Sequence, residues 1–597
     1  MPGFAFADGP RGAVVGNATA FPVSMARGAT WDTELEERIG RVIGYELRAT
    51  GATLTGAVCV NVLRHPAWGR AQETYGEDPF HVGELGAAFT RGLQQHVMAC
   101  VKHFACNSME NARFSVDVDV DEVALHEVYL PHFKRIVDEG VAAVMSAYNS
   151  VNGEWCGQNR ALLTEVLRDE WGFEGFVISD WIFGLRDAAP SLTAGLDVEM
   201  PYRMVRAQHL AAALERGEAS WADVDRSVER VIATLLRFDD LLADPPPRDV
   251  LGGEPPPRAG TRGGREVDRA AADDEHDPGD DLDHAAAAAV RADVAVVVVG
   301  YTFLDEGEYI GAVDPALGSL LPPADEPHVV ESFREFVERQ PRTTHPERMK
   351  DRPRGFAAGG DRSSLRLLDH DVALIRAVAA ANPRTVVVVQ AGSAVVMSEW
   401  DRDVPAIAQA WYGGCEAGAG LADVLVGAVD PSGRLPFSVP ADESNLPLFD
   451  RDATTFRYDR WHGWWHLART GRAAAYPFGF GLSYTTFEVG DVDVQLTADA
   501  IAVTGTVRNT GGRDGVDVVQ VCAELPGDDA PARLVGFARV EVGAGGAARF
   551  AVQVPLDRLA RRDPVAHAWS APTGLHRVVV RRHADDPTAV AVTVDLS

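Results

Sequence analysis

From Gly12 to about Leu242 the chain alternates between short apolar runs and longer amphipathic ones. GAVCVNVL (56–63), VMACVKHF (97–104), VAAVMSAYN (141–149) and GFVISDW (175–181) have the length and apolar density of buried strands. After Asp32, a ready N-cap, Leu35, Ile39, Val42 and Ile43 recur at helical spacing. ELGAAFTRGLQ (84–94), DEVALHEVYLPHFKRIVDE (121–139) and NRALLTEVLRDEWG (159–172) read as further helices. Repeated strand–helix units predict parallel strands, hence a doubly wound sheet or a TIM-like barrel. No GxGxxG turn follows the first strand, which favours the (β/α) barrel over residues 1–242.

Residues 243–291 break the pattern. They are rich in Pro, Gly and charge and read as linker or disorder. ADVAVVVVG (292–300) and RTVVVVQAG (384–392) are all-apolar strands, with a second polar, Pro-rich stretch (322–363) and the helical LIRAVAAANP between them. Such strands predict a parallel α/β sandwich over 292–487. Beyond it IAVTGTVRNTGG, VDVVQVCAEL, ARFAVQVPL and HRVVVRR alternate strictly, so residues 488–597 read as a β-sandwich.

Composition narrows the function. The 597 residues are 46% hydrophobic and 24% charged, an ordinary globular balance, but the net charge is -31. No basic run interrupts the acid excess, so neither nucleic acid nor an anionic membrane is an expected partner. The six cysteines form no CxxC pair; Cys59 and Cys100 fall in apolar runs and read as buried thiols, and no metal site is expected. The first residues lack a secretory signal and no apolar run approaches the ~20 residues of a membrane span, so a cytoplasmic protein is expected. Nothing in the sequence fixes an oligomeric state.

Polar groups recur where the strands end: Asn61 and Arg64, Lys102 and His103, Tyr148 and Asn149, Asp180, then Glu199. A barrel converges such ends on one rim. Asp180 is the sharpest case, a carboxylate delivered by an apolar strand and followed by Trp181; alone it would equally suit an N-cap beside a core tryptophan. Lys102 and His103 end a second apolar run, which is costly unless a ligand or carboxylates meet them.

At these residues the chain resembles glycoside hydrolase family 3, in its β-glucosidase-like branch. The resemblance rests on ADGPRG (7–12), NVLRHPAWGRAQETYGEDP (61–79), KHFACNSMENAR (102–113), MSAYNSVNG (145–153), RDEWGFEGFVISDW (168–181), AGLDVEMP (194–201), AWYGGCEAGAGLADVLVGAVDPSGRLPFSVP (410–440) and YPFGFGLSYTTF (476–487). It implies a barrel, an α/β sandwich and a fibronectin type III-like domain. It further implies retaining hydrolysis of a terminal β-linked sugar on a small glycoside, with no cofactor. Two carboxyl groups suffice for that chemistry, one attacking the anomeric carbon and one protonating the departing oxygen. By matching motifs, Asp180 is the nucleophile, Trp181 stacks on the sugar, and Asp8, Arg70, Lys102, His103, Arg113 and Tyr148 bind its hydroxyls. In GYTFLDEGEYIG (300–311), Glu306 is the first candidate for the acid/base and Glu308 the reserve. Asp361-Arg362 resembles the element that holds this loop, and Glu77 and Asp78 are candidates to support Arg70. A β-xyloside or arabinoside specificity, or a homologue that binds sugar without turnover, are the alternatives.

Three features depart from the family pattern. The chain begins almost at DGP, without the usual preceding helix. Residues 243–290 lack the apolar element that normally opens the second domain. Phe480 stands where histidine is usual.

Overall fold

The computed structural model describes residues 4–14, 18–243, 245–246, 278–311, 315–323, 358–527 and 530–596. Its first domain is built on strands β1 (Phe6–Ala7), β2 (Leu54–Cys59), β3 (Met98–Phe104), β4 (Ala143–Ser146) and β5 (Phe176–Ile178), adjacent in that order. All four pairings are parallel. Helices α1 (Thr33–Thr50), α2 (Pro79–Leu93) and α3 (Pro131–Val137) intervene, with a π-type helix at Ala161–Glu170. The first two start for a local reason. Asp32 accepts the Leu35 N–H at 2.9 Å to begin α1, and Asp78 accepts Phe80 and His81 N–H groups to begin α2.

A parallel bridge from Ile178 to Val198 extends the ladder past β5, and the chain then enters α4 (Val205–Arg216) and α5 (Trp221–Arg237). The (β/α) architecture is the expected one, but among the described residues the ladder does not return on itself. Rings join its two ends instead. Phe4 stacks on Phe176 at 5.5 Å between centroids, and Phe6 meets Trp181 at 4.6 Å. Val231 and Leu235 of α5 pack into the same cluster as Leu54, Phe176 and Ile178. Every residue of β2, β3, β4 and β5 is buried. At roughly 1.5–3 kcal/mol per large apolar side chain, this double coverage is the main stabilising term of the domain.

The segment expected to be linker differs in its second half. Helix α6 (Pro278–Arg291) runs directly into the second domain; residues 247–277 lie outside the described residues. Its DLDHAAAAAVR run has the strongest of all helix formers, and Ala285 and Ala289 face the second core four residues apart. That core lies under α6 and α7 (Asp369–Ala381) on a parallel sheet ordered β8 (Ala406–Gln409), β7 (Thr385–Gln390), β6 (Ala295–Gly300). The C-terminal domain is a β-sandwich of two antiparallel sheets. One holds β9 (Phe487–Leu496), β10 (Ala500–Asn509) and β13 (Ala547–Pro555). The other holds β12 (Arg533–Val542), β11 (Gly515–Glu524), β14 (Leu575–Arg581) and β15 (Val590–Asp595). Their inward-facing Val, Ile and Phe residues form one cluster.

Candidate active site

The C-terminal ends of the first domain's strands bring most of the expected residues together. Lys102, at the end of β3, sets its Nζ 3.0 Å from both carboxylate oxygens of Asp8, just past β1. Lys102 is buried, whereas the Asp8 side chain is 44% exposed, so this pair marks the outer edge of the site. Burial is the largest influence and opposes the charge on Lys102, but Asp8 together with Glu73 holds the ammonium above its ordinary range.

His103 faces inward. Its Nδ1 lies 3.1 Å from Asn61 Oδ1, and its Nε2 lies 3.3 Å from Arg70 Nη1. We assign the proton to Nδ1, because Asn61 offers an acceptor there and the guanidinium offers a donor to Nε2. Burial first, then Arg70, Lys102 and Arg113, hold the imidazole neutral far below its ordinary range. Arg70 is buried and fixed by a two-pronged pair with Glu73, at 2.9 and 2.7 Å.

Asp180 sits against this group. Its Oδ1 accepts the Trp181 N–H at 2.7 Å. Oδ2 lies 3.6 Å from His103 Nε2 and has no hydrogen-bond partner in the protein. With His103 neutral, that oxygen keeps its lone pairs free. Burial pushes the Asp180 carboxyl up to about 6, with Arg70 and Arg113 holding it from rising further. The turn after it is tight. A Cβ at Gly184 would lie 2.6 Å from both N and O of Asp180, so only glycine lets the chain fold back there. Tyr148 donates to the Trp181 carbonyl at 2.8 Å, and the Arg113 guanidinium lies over its ring at 5.2 Å. Trp181 is half-buried beside Phe6.

The second domain reaches over this rim with the loop after β6, and here the two glutamates separate. Glu306, the first candidate, is buried away from solvent; its Oε1 accepts the Gly392 N–H at 2.6 Å and the Tyr412 hydroxyl, and Oε2 pairs with Arg362 at 3.2 Å. All of these partners belong to the second domain, so Glu306 locks its own loop. Glu308, the reserve, is 35% exposed and lies 3.0 Å from Arg113 Nη1. Burial would raise its carboxyl, but Arg70 and Arg113 draw it down to about 2. Residues two apart share a face in a regular extended segment, but Gly307 between these two sits at φ +148° and breaks that relation, which sequence spacing alone does not show.

Asp361 holds the loop to the first domain. The buried carboxylate accepts N–H groups of Gly69 at 2.8 Å, Glu110 at 2.8 Å and Asn111 at 2.9 Å. Gly360 and Gly307 form an antiparallel bridge beside it, and a Cβ at Gly69 would lie 2.3 Å from the Gly360 carbonyl oxygen. Arg362 completes the clamp on Glu306, Pro66 and Ser393. Glu77 and Asp78 do not support Arg70. Glu77 is buried and accepts Ser438 N, Ser438 Oγ and Trp464 N, tying the rim to the second domain, and Asp78 caps α2.

Two residues escaped the sequence reading. Glu73 is visible in retrospect as a carboxylate three positions after Arg70 on one helical turn. Glu110 bonds Arg113 at 2.9 Å and the Tyr309 N–H at 3.0 Å, and its only signal is its position three before Arg113. Arg113 Nη1 thus serves Glu110 and Glu308 together.

Comparison with known proteins places this geometry. Residues 4–234 match the glycosyl hydrolase family 3 N-terminal domain, residues 178–484 its C-terminal domain, and residues 517–584 a fibronectin type III-like domain. An exo-α-(1→6)-L-arabinopyranosidase of Bifidobacterium longum is 30% identical over 640 residues, covering 97% of this chain and 80% of its own. A thermostable β-glucosidase B of Acetivibrio thermocellus is 30% identical, covering 84% of this chain and 70% of its own. Among solved structures, β-glucosidase 3B from Thermotoga neapolitana in complex with α-D-glucose superposes with a TM-score of 0.79 at 27% identity, covering 100% of this chain and 92% of that one.

Proposed function

The chain belongs to glycosyl hydrolase family 3, and from that premise we propose that it is a retaining exo-acting β-glycosidase, most simply a β-glucosidase acting on small glycosides. Membership supports glycosidase activity on β-linked sugars in general. The observation that carries the specific reading is Asp180 Oδ2, an unbonded carboxylate oxygen set 3.6 Å from a neutral imidazole and facing a rim of fixed cations.

The reaction follows from these atoms. Asp180 Oδ2 attacks the anomeric carbon as the bond to the aglycone oxygen breaks, and Glu308 gives that oxygen its proton. Water then attacks the same carbon, Glu308 takes the water's proton, and the bond to Asp180 breaks. Asp8 and Lys102 at the outer edge, with Arg70 and His103 deeper, meet the sugar hydroxyls, and Trp181 offers the ring an apolar face. Without substrate the proton resides more readily on Asp180, at about 6, than on Glu308, at about 2. Sugar hydroxyls that take donors from Arg113 relieve Glu308 of its counter-ion, and exclusion of water by the bound glycoside raises it further.

The test is a 2-deoxy-2-fluoro-β-glucoside with a dinitrophenyl leaving group, followed by peptide mapping. We expect one label per chain, on Asp180. A label on any other residue, or none on folded protein, overturns the reading. A pentopyranoside is the second reading, favoured by the arabinopyranosidase whose match spans 97% of this chain. Relative kcat/KM on nitrophenyl β-glucoside and α-L-arabinopyranoside decides between them.

A further inference from the structure

Away from the Asp180 rim, a cavity of about 710 Å³ lies between the outer wall of the first domain and the C-terminal domain. Its size falls in the range of small-molecule sites, about 300–1,000 Å³. None of its lining residues belongs to the site described above. Three indoles line it, Trp171 from the first domain, Trp465 from α9 (Gly463–Thr470, counting Ala417–Leu425 as α8) and Trp569 from the C-terminal domain. Trp569 is 44% exposed, with its Nε1 donating to Glu170 at 3.1 Å. Trp465 is 4% exposed, and its Nε1 is buried with no partner in the protein.

Most charged groups in the wall are already paired, Glu84 with Arg135 and Arg558, Lys134 with Asp138, and Glu127 with Arg533. Glu84 accepts from Arg135 at 3.1 Å and from Arg558 at 2.7 Å, linking a helix of the first domain to the C-terminal domain. A ligand of net charge would have to break such a pair, whereas a neutral hydroxyl can share a lone pair or a spare N–H without displacing one. Flat apolar faces call for a ligand with C–H surfaces, and the carboxylates and guanidinium groups of the wall call for hydroxyls. A neutral saccharide supplies all three.

We propose that this interdomain cavity is a second carbohydrate site, taking a neutral oligosaccharide of two to three rings between the first and third domains. It does not depend on the chemistry assigned to Asp180. The test uses the full chain carrying Asp180→Asn, so that no turnover complicates binding, with cellotriose as the probe. Calorimetry and saturation-transfer NMR are expected to find two binding events, one at the Asp180 rim that Trp181→Ala weakens, and one that Trp569→Ala weakens at least tenfold and that Trp181→Ala leaves unchanged. Trp569→Phe, which keeps a flat ring, should restore most of the affinity, and Trp171→Ala should repeat the loss if Trp569→Ala lowers the melting temperature. Absence of any cellotriose binding with that dependence, on folded protein, overturns the proposal.

Discussion

The two parallel sheets of this chain are written in nearly the same letters and live under different conditions. Strand β3, MACVKHF, is buried at all seven positions. Strand β6, AVVVVG, alternates, with Val296 46% and Val298 53% exposed while Val297 and Val299 are buried. An unbroken apolar run predicts coverage on both faces. In the first domain helices cover one face of the sheet, and a mixed cluster including Leu54, Met98, Met145 and Phe176 fills the other. In the second, α6 and α7 cover one face, and among the described residues nothing comparable covers Val296 and Val298. The difference teaches that an apolar strand reports its own composition, not the number of layers stacked on it. It also bears on function: the better-covered sheet presents Asp180, and the half-covered one presents Glu308.

The proposed roles can be broken most sharply at the two carboxylates. Asp180→Asn, on the first sheet, should lower kcat on an aryl β-glucoside by about 10⁴-fold or more. Glu308→Gln should cost about 10²–10⁴-fold for a poor leaving group and far less for dinitrophenolate, which needs no proton. Glu306→Gln should lower the melting temperature and leave the leaving-group dependence unchanged, since this residue acts within its own domain. A leaving-group effect that follows Glu306 rather than Glu308 would reverse the assignment.

Next in size is the tertiary contrast itself. Phe104→Ala, in the fully buried β3, should destabilise by about 3–5 kcal/mol, whereas Val296→Thr, on the open face of β6, should stay within about 0.5 kcal/mol. Chemical denaturation read by intrinsic fluorescence separates these. A large loss at Val296 would mean that its face is covered in solution.

The smallest expected effect is in pH. On a dinitrophenyl glucoside, whose leaving group needs no proton, Asp180 must be ionised to attack and its carboxyl is raised to about 6, so kcat/KM should rise through pH 6 and flatten above it. The stability sign runs the other way. Burial raises this carboxyl above its unfolded value, so its contribution favours the fold below the ordinary aspartate range and is lost as pH rises through about 6. Asp180→Asn should therefore raise the melting temperature at pH 7.5 and change it little at pH 4.

Much of this was legible in the sequence. Strand-end polar residues foretold Lys102, His103, Tyr148 and Asp180, because a parallel sheet carries its chemistry where its strands stop. Asp32 announced α1, and the alternating C-terminal segments announced a β-sandwich. The misses share one cause. Glu73, Glu110 and the true setting of Glu77 depend on which side chain lies opposite, and spacing along the chain carries that information only within a helical turn. The order of the two loop glutamates was hidden for the same reason, as was α6, where an alanine run was outweighed by the proline-rich stretch before it.

The sequence by itself determined the elements, their order and the kinds of group available to the site, since periodicity and residue chemistry are local properties. The tertiary structure alone decided that Glu306 is locked by Arg362, Tyr412 and Gly392 while Glu308 faces Arg113, and that Asp361 anchors one domain's loop to the other through three N–H groups. Those outcomes rest on desolvation and partner geometry between distant parts of the chain, 250 to 292 positions apart for Asp361, and such terms exist only once the domains have packed.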